Sequence, residues 1–423
     1  MLFKKIVCLS IFISLIFADE EILHVYYTFK KDPAHSFVIN IQSTAHEDFS
    51  IQLKQNHSVL DKKFSKGSYF ELPAQSRYIH LVEFDGLQPN MLYEIEISHQ
   101  GKLVKESKVQ TLSDNISDIK VVIGGDLEMI HASIPILEQI KQSEPSVIFF
   151  GGDYPKDVYS LHDYKKWDEW LKTTSEILIK KNGACIPWIL AIGNNEVFGS
   201  FNQPIEKAPF FHAFFNQSPH GNHYFHLNIH EDLLLIILDS GLTAQHDGDQ
   251  KVWLESVLSS NKNIPIKMAL YHVPIYPSVR FREKNWYYRL AQSISKLKDK
   301  KNIASRLFSP QSMEGFKHWA PLFDEYKVTC AFEHHDHAFK RTGPIRNGET
   351  QKEKGTYYLG DGALAPYPQF TPIQKFCDFR LKKSIGHVQF FWLMTFQSDT
   401  IDFQAISSYG KSIDHFSIKG PYE

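Results

Sequence analysis

The stretches 119-IKVVIGGD-126 and 146-SVIFFGGD-153 decide the fold, because each places an aspartate directly after an uninterrupted apolar segment. Such segments are typical of strands in a sheet that is covered on both faces. The glycines between segment and aspartate let the backbone turn sharply and approach a ligand closely. In open α/β sheets, ligands bind outside the carboxyl ends of the strands. Both aspartates are therefore expected at one binding edge.

The same pattern continues through the second part of the chain, where strand-like segments alternate with helical ones. Apolar residues recur at helical spacing around Ile134, Leu137 and Ile140, and again between residues 167 and 178. Further apolar segments are 187–192, 233–238, 266–271, 328–332 and 356–359. The alternation predicts an α/β domain, to which we assign residues 117–420.

Residues 20–112 show a different sequence pattern, with short segments of alternating apolar and polar residues, typical of strands, separated by turn residues. Examples are 24-HVYYTF-29, 78-YIHLVEF-84 and 92-LYEIEIS-98. Several strands at short spacing predict a small all-β sandwich. No cluster of chemically reactive residues stands out in this region.

The first residues, MLFKKIVCLSIFISLIFADEE, have the features of an export signal. Lys4 and Lys5 precede an apolar run that is too short to span a bilayer, and Ala18 precedes acidic residues as a cleavage site would. We therefore predict a signal peptide at 1–18 and an exported protein, secreted, periplasmic or on the cell surface. An uncleaved N-terminal anchor is the alternative; after cleavage, no membrane span is expected.

The overall composition excludes some classes of partner. The 423 residues carry a formal net charge of only −2, so there is no basic field to hold nucleic acid. Loss of the signal would leave Cys185, Cys330 and Cys377, which are too few for a disulfide framework. Cys185 and Cys330 are expected to be buried thiols, although a single bridge with one thiol left over stays open.

Polar side chains follow three further strands as well. They are Asn194 and Asn195 after 187–192, His272 after 266–271, and the stretch 333-EHHDHAFKRT-342 after 328–332. Carboxylate, amide and imidazole groups together suit ions such as Fe, Mn and Zn, and this set is large enough for two. Two adjacent metals can clamp both oxygens of a phosphoryl displacement. His335 and His337 would share one face of an extended backbone, and His334 would point away.

Each of these residues also has an ordinary structural interpretation. Asp126 and Asp153 could start Asx turns, and Asn194 with Asn195 could form a turn. His272 could be a buried histidine that makes a hydrogen bond. Only the joint occurrence of these residues at successive strand ends favours a binding site over these alternatives.

The ordered set GGD, GGD, GNNE, HVP and HHDHAFKRT resembles the five-motif signature of the calcineurin-like metallophosphoesterases, in particular the purple acid phosphatases. The stretches 32-DP-33, 86-GLQPNMLYEI-95 and 111-TL-112 resemble the fibronectin-III-like domain that precedes the catalytic domain in those phosphatases. The resemblance implies layered mixed β-sheets flanked by helices, with a dinuclear metal centre at their rim, behind a fibronectin-III-like sandwich.

The resemblance also implies roles for individual residues. Asp126, Asp153 and His337 would hold the first metal. Asp153 would bridge to the second, and the residues that complete that second position would be Asn194, His272 and His335. A hydroxide activated by the two ions would attack phosphorus, which makes the chain a phosphatase for monoesters of a small molecule or a protein.

Two positions depart from the family pattern. Lys156 stands where the family has a tyrosine that ligates ferric iron and gives a purple colour, so the first metal is expected to be Zn, Mn or Fe(II). Tyr154 and Tyr159 are out of register and are not assigned as ligands. Asn195 stands where the family has a histidine that contacts phosphate and protonates the leaving group.

Asparagine can donate a hydrogen bond to phosphate but does not titrate near neutral pH. His334 is therefore a candidate substitute proton donor. Glu333 and Asp336 are expected to orient a ligand or to lie on the surface.

The sequence leaves other functions open. A phosphodiesterase or pyrophosphatase could use the same metal centre, with the substrate chosen by loops 198–220, 276–290 and 361–380. A catalytically degenerate member could instead bind metal or phosphate without turnover, as a secreted or cell-surface protein. The substitutions at 156 and 195 favour that last alternative, whereas the six ligand positions oppose it.

Overall fold

The computed structural model describes residues 22–46, 48–282, 289, 308–364 and 380–419. The predicted signal peptide, Cys377 and parts of two predicted substrate loops lie outside the described residues. In the described part of the chain, no helix has the length and apolar character needed to cross a membrane. Cys185 and Cys330 are free thiols, the first half-buried and the second buried.

The N-terminal region up to residue 110 is built from strands. They are β1 Ile22–Thr28, β2 Phe37–Ser43, β3 Ser50–Gln55, β4 Ser58–Phe64, β5 Gly67–Phe70, β6 Arg77–Phe84, β7 Leu92–His99 and β8 Lys102–Gln110. The predicted β region is thus present, while its fibronectin-III-like identity stays a prediction.

The remainder of the chain mixes strands and helices. The strands are β9 Lys120–Gly124, β10 Val147–Phe150, β11 Ala184–Cys185, β12 Trp188–Leu190, β13 Phe225–His230, β14 Leu233–Ile237, β15 Ile266–Leu270, β16 Cys330–Phe332, β17 Phe339–Thr342, β18 Ile345–Arg346, β19 Glu349–Thr350, β20 Tyr357–Gly360, β21 Leu381–Ile385, β22 Phe390–Phe396, β23 Thr400–Ser407 and β24 Ser412–Lys419. The helices are α1 Ile134–Gln142, α2 Tyr164–Ile177, α3 Pro209–Phe214, α4 Asp249–Ser260, α5 Pro310–His318 and α6 Ala320–Glu325.

Two large mixed sheets form the frame of this part of the chain. Among the described residues, one has ten strands in the order β24-β23-β22-β9-β10-β12-β1-β2-β6-β5, and the other has seven in the order β13-β14-β15-β16-β20-β17-β21. Strands β9, β10 and β12 are parallel neighbours, and β14, β15, β16 and β20 are parallel in the second sheet. The predicted class, layered mixed sheets flanked by helices, is confirmed.

Alternating burial explains why the central strands are apolar throughout. In β9, Val121 belongs to the core between the two sheets, while Val122 belongs to the core beneath α1 and α2. In β14, Leu235 faces the other sheet and Leu234 packs with α4 and α6. Because successive side chains point to opposite faces, a strand between two cores needs an apolar residue at every position.

The N-terminal region is joined to the rest by the ten-stranded sheet itself. Strand β1 pairs in parallel with β12 at Thr28 and Trp188, and the Tyr26 ring stacks on Trp188 at 5.4 Å between centroids. Arg77 on β6 is fully buried and its guanidinium forms two hydrogen bonds, of 2.5 and 3.0 Å, with the carboxylate of Asp168 on α2. The domain limits at 20–112 and 117–420 stay a prediction.

Candidate metal centre

The residues that sequence reasoning placed at strand ends converge in two adjacent groups. One group contains Asp153, His272 and His335, and the other contains Asp126, Glu128 and His337; within each group, one ligand atom per residue lies within 4.8 Å of the others. Asp126 and Asp153 follow strands of the ten-stranded sheet, whereas His272 and the two histidines of 333–342 follow strands of the seven-stranded sheet. Each group therefore takes ligands from both sheets.

The group around His272 has the arrangement expected of a cation site. His272 Nδ1 donates to the carbonyl oxygen of Gly151 at 2.9 Å, which directs Nε2 towards the rim. That nitrogen lies 3.1 Å from Asn194 Oδ1, 3.3 Å from Asp153 Oδ2 and 3.1 Å from His335 Nδ1. Asn194 Oδ1 and Asp153 Oδ2 are acceptors, and so is Nε2 of a neutral His272 that donates through Nδ1, so a proton or a cation is needed to hold these atoms together.

The group around Asp126 has the same character. Asp126 Oδ1 lies 3.0 Å from His337 Nε2, and Asp126 Oδ2 accepts a hydrogen bond from the backbone N–H of His335 at 3.0 Å. Within the described residues, the buried Oδ1 of Asp126 has no donor other than that imidazole. The donor set of both groups, carboxylate, amide and imidazole, fits two borderline-hard divalent ions.

The backbone at these residues is strained. Asp126, Asp153, His335 and His337 adopt positive φ values of 58°, 57°, 77° and 52°, a region that side-chain-bearing residues rarely occupy. Strain of this kind clusters at functional sites, where it fixes side-chain direction. The expectation that His335 and His337 share one face of an extended backbone is wrong, because both are left-handed and their rings enter different groups.

Glu196 holds the two ligand-bearing turns together. Its carboxylate accepts backbone hydrogen bonds from Asp153 at 2.9 Å, Tyr154 at 2.9 Å and Gly193 at 2.8 Å. Burial and the neighbouring Asp153 raise the pKa of Glu196 to about 8. Gly193 makes this closeness feasible, since a Cβ there would lie 2.2 Å from the backbone nitrogen of Asp153. Sequence reasoning assigned Glu196 no role; its place in the GNNE motif was the available signal.

Asn195 lies at the edge of the group around Asp126. Its backbone N–H donates to Asp153 Oδ1 at 2.8 Å, and its side-chain Nδ2 donates to Glu128 Oε1 at 3.0 Å. The side chain is half-buried, which leaves part of the amide open towards the rim. The role predicted for it, contact with a phosphate, is compatible with this position and stays a prediction.

His334 lies beneath the rim rather than on it. Its Nδ1 donates to the carbonyl oxygen of Tyr271 at 2.9 Å, and its ring packs so closely on Gly151 that a Cβ there would lie 2.0 Å from it. Burial lowers the pKa of His334 to about 3. These contacts do not support a role for His334 in protonating a leaving group, and that role stays a prediction.

Glu333 and Asp336, the acidic neighbours of the histidines, accept hydrogen bonds from backbone N–H groups and not from an imidazole. Glu333 accepts from the Tyr271 hydroxyl at 2.7 Å and the Ile275 N–H at 2.6 Å, and pairs with buried Lys340. Asp336 accepts from the backbone of the 278–280 turn, with 2.9 Å to the N–H of Ser278. Both are buried, so the surface alternative is wrong for them; they orient the ligand loops indirectly.

The tyrosines near the first group are engaged elsewhere. The Tyr154 hydroxyl donates to the carbonyl of Ala191 at 2.7 Å, and the largely exposed Tyr159 donates to Asp157 at 2.8 Å. Lys156, at the departing position, pairs with Glu128 at 3.0 Å. Glu128 is a residue of the site that sequence reasoning missed, although it stands only two residues after Asp126.

The carboxylates beside His272 and His337 favour the protonated form of both imidazoles. Burial acts to lower the pKa of His272, but Asp153 and Asp126 outweigh it and raise that pKa to about 10. Burial is likewise outweighed at His337, where Asp126 and Glu128 raise the pKa to about 9. For His335, burial and the charge of Arg280 lower the pKa well below its usual range. At neutral pH, His272 and His337 thus carry the positive charge that bound metal ions would otherwise supply.

Metal binding is therefore expected to release protons. His272 and His337 are charged below their raised pKa values, and an imidazole must be neutral to ligate, so affinity should rise with pH through the neutral range. About two protons should leave at pH 7, with about a tenfold gain in affinity per pH unit for each. Calorimetric titration of chelator-treated protein with Zn²⁺, in buffers of different ionisation enthalpy, measures this number. Release of no proton would show that both rings are already neutral.

Comparison with known proteins agrees with the site. Residues 116–338 match the model of the calcineurin-like phosphoesterase family. A phosphoenolpyruvate phosphatase from Allium cepa is 24% identical over 284 residues, covering 64% of this chain and 52% of that protein. Purple acid phosphatase 13 from Arabidopsis thaliana is 22% identical over 365 residues, covering 73% and 59%. This chain thus spans less than two thirds of the length of these curated relatives.

The fold has a solved counterpart. The structure of purple acid phosphatase PPD1 from yellow lupin (Lupinus luteus) seeds matches with a TM-score of 0.73 at 17% identity, over 94% of this chain and 74% of the lupin chain. At that identity the likeness shows the fold alone, whereas the family model covers more than half of the present sequence. The chain belongs to the calcineurin-like phosphoesterase family.

Proposed function

We propose that this chain is an exported phosphatase that depends on two metal ions and hydrolyses phosphate monoesters. The observation that supports this most strongly is the pair of adjacent ligand groups at one rim, linked by His335, whose ring belongs to one group and whose N–H contacts Asp126 in the other. Relatives named as a phosphoenolpyruvate phosphatase and a purple acid phosphatase support a monoester substrate.

The ions would be drawn from Fe, Zn and Mn, and the six predicted ligands would hold them. Asp126 and His337 belong to the first position; Asn194, His272 and His335 belong to the second; Asp153 would serve both. When bound, the two ions supply an activated water and neutralise charge that develops on the phosphoryl group.

The chain's own residues would then position the substrate. The Asn195 amide can donate to a phosphate oxygen, but it cannot give up a proton to the departing group. Phe201, whose ring stands edge-on to His335 at 6.2 Å, would form an apolar wall beside the second position. The site should therefore favour esters of good leaving groups on a small molecule or an exposed side chain of a protein.

Export is part of the proposal and is supported by residues 1–18 alone. The charged start, the apolar run and the small residue before an acidic segment are the features of a cleaved signal. A low net charge agrees with substrates other than nucleic acid.

Hydrolysis of p-nitrophenyl phosphate tests the proposal. Protein stripped of metal by a chelator should be inactive and should regain turnover on addition of Zn²⁺, Mn²⁺ or Fe²⁺. This ester has a good leaving group, so its cleavage needs little protonation and tolerates asparagine at position 195. Folded protein that binds two ions but shows no turnover would contradict a monoesterase. Diesters would then be the next substrates to assay, with a binding role without catalysis as the remaining explanation.

A further inference from the structure

Glu128 reaches the same space as the first group of ligands. It stands two residues after Asp126, its side chain is 7% exposed, and its Oε1 lies 3.7 Å from His337 Nε2. Asp126 Oδ1 is buried and lies 3.0 Å from that same nitrogen, and among the described residues no other donor reaches it. An imidazole nitrogen faced by two carboxylate oxygens, one of which has no other donor, is the arrangement that a divalent ion would complete.

Glu128 is also tied to the position where the family pattern is broken. Its Oε2 lies 3.0 Å from Lys156 Nζ, and its carbonyl oxygen accepts a hydrogen bond from the Lys156 N–H at 3.1 Å. An ammonium group has three donors and no lone pair, so Lys156 cannot ligate a metal. It can hold one oxygen of Glu128 and leave the other directed at the site.

The remaining oxygen has capacity for a metal. Oε1 accepts one hydrogen bond, from Asn195 Nδ2 at 3.0 Å, and a carboxylate oxygen has a further lone pair. A carboxylate anchored through its other oxygen is a pre-oriented ligand, since outer contacts of this kind fix ligand direction. The same contact links Glu128 to the residue expected to meet the phosphate.

We propose that Glu128 is a protein ligand of the first metal position, where it takes the place of the missing tyrosine, and that Lys156 is its positioning residue. This inference rests on the proposed metal centre. It names the class of ion: carboxylates and one imidazole, without phenolate, favour divalent Zn, Mn or Fe. An iron-loaded protein should lack the visible charge-transfer absorption that a tyrosinate ligand gives to ferric iron.

Metal titration of Glu128→Gln by calorimetry tests the assignment without reference to activity. The unmodified full chain should bind two Mn²⁺ or Zn²⁺ ions. In the variant, one site should keep its affinity and the other should weaken about 100-fold, since even outer partners of ligands change affinity by about 10- to 100-fold. Lys156→Met should weaken the same site by about 10-fold. Glu314→Gln is the matched control and should change neither site, because Glu314 also lies beside an imidazole, with Oε2 3.3 Å from His318 Nε2, but stands on α5 outside both ligand groups.

Two further results separate the competing outcomes. If Glu128→Gln keeps both affinities and changes only KM, Glu128 merely positions Asn195 and the inference fails. If the unmodified chain binds no metal, the proposed function fails instead. The spectrum of the unmodified iron-loaded chain does not depend on any variant, and a tyrosinate band there would overturn the assignment. The double variant with Glu128→Gly and Lys156→Tyr should gain that band.

Discussion

Replacing Asp153 with asparagine is expected to reduce metal-dependent ester hydrolysis by about 10³-fold or more. Asp153 Oδ2 lies 3.3 Å from His272 Nε2, while Oδ1 accepts the Asn195 N–H at 2.8 Å, so this carboxylate anchors both the ligand set and the neighbouring turn. Loss of a single hydrogen-bond donor to a transition state costs about 10²–10³-fold, and Asp153 is expected to serve two ions. The measurement is kcat/KM with p-nitrophenyl phosphate at saturating Mn²⁺ or Zn²⁺.

The control for this substitution lies outside the rim. Asp232 has an imidazole neighbour as well, with Oδ2 3.7 Å from His230 Nδ1, but it lies in the turn that joins β13 to β14. Asp232→Asn should leave kcat/KM unchanged. Activity of Asp153→Asn within tenfold of the unmodified protein would show that hydrolysis does not take place at this centre.

Replacing Asn195 with histidine is expected to raise the rate on alkyl phosphates by about 10²-fold, with little change for p-nitrophenyl phosphate. A poor leaving group needs a proton, and general acid catalysis contributes about 10²–10⁴-fold. The new imidazole would stand beside Glu128, whose Oε1 is 3.0 Å from the present Asn195 Nδ2, and a neighbouring carboxylate favours the protonated, donating form.

The pH profile of Asn195→His and the rate of Asn195→Gln distinguish acid catalysis from an effect of side-chain size alone. A histidine donor must be protonated, so the alkyl-phosphate rate of Asn195→His should fall on the alkaline side of its pKa. Asn195→Gln adds length without a titratable group and should give no gain. Equal gains on both esters, or a gain with glutamine, would mean that the residue acts by positioning only.

Much of the catalytic fold follows from strand composition. Segments such as 121–123 and 233–237 are apolar at every position because Val121 and Leu235 face the core between the sheets, while Val122 and Leu234 face the helices. The division into two sheets is not visible in that pattern, since a strand buried on both faces looks the same in either sheet. The predicted single binding edge is nevertheless found, because strands of both sheets end there.

The candidate site was predictable where a residue follows its strand directly. Asp126 and His272 are found this way because strand direction alone fixes their place. Glu128 and Glu196 act through contacts with Lys156 and with the 153–154 backbone, which sequence spacing does not encode. The left-handed backbone of His335 and His337 was not predicted either. Residues of the same types occur in both extended and left-handed conformations, so the sequence does not distinguish them.

The junction with the N-terminal region is a further feature that the local pattern conceals. The change of rhythm near residue 113 suggests a boundary, yet β1 pairs with β12, more than a hundred residues later, and Arg77 pairs with Asp168 on α2. Such contacts depend on which strands and helices come together when the chain folds, so the composition of a segment cannot reveal them.

Because each ligand group takes residues from two different sheets, bound ions would cross-link the two sheets as well as serve catalysis. Separating the layers during unfolding must release them, so the free energy of unfolding should grow with free metal, by about 2.7 kcal/mol at one hundred times the dissociation constant. Depletion of metal would therefore lower thermal resistance and hydrolysis together. A shortage of metal in the surroundings would then set how long the protein survives, besides how fast it turns over.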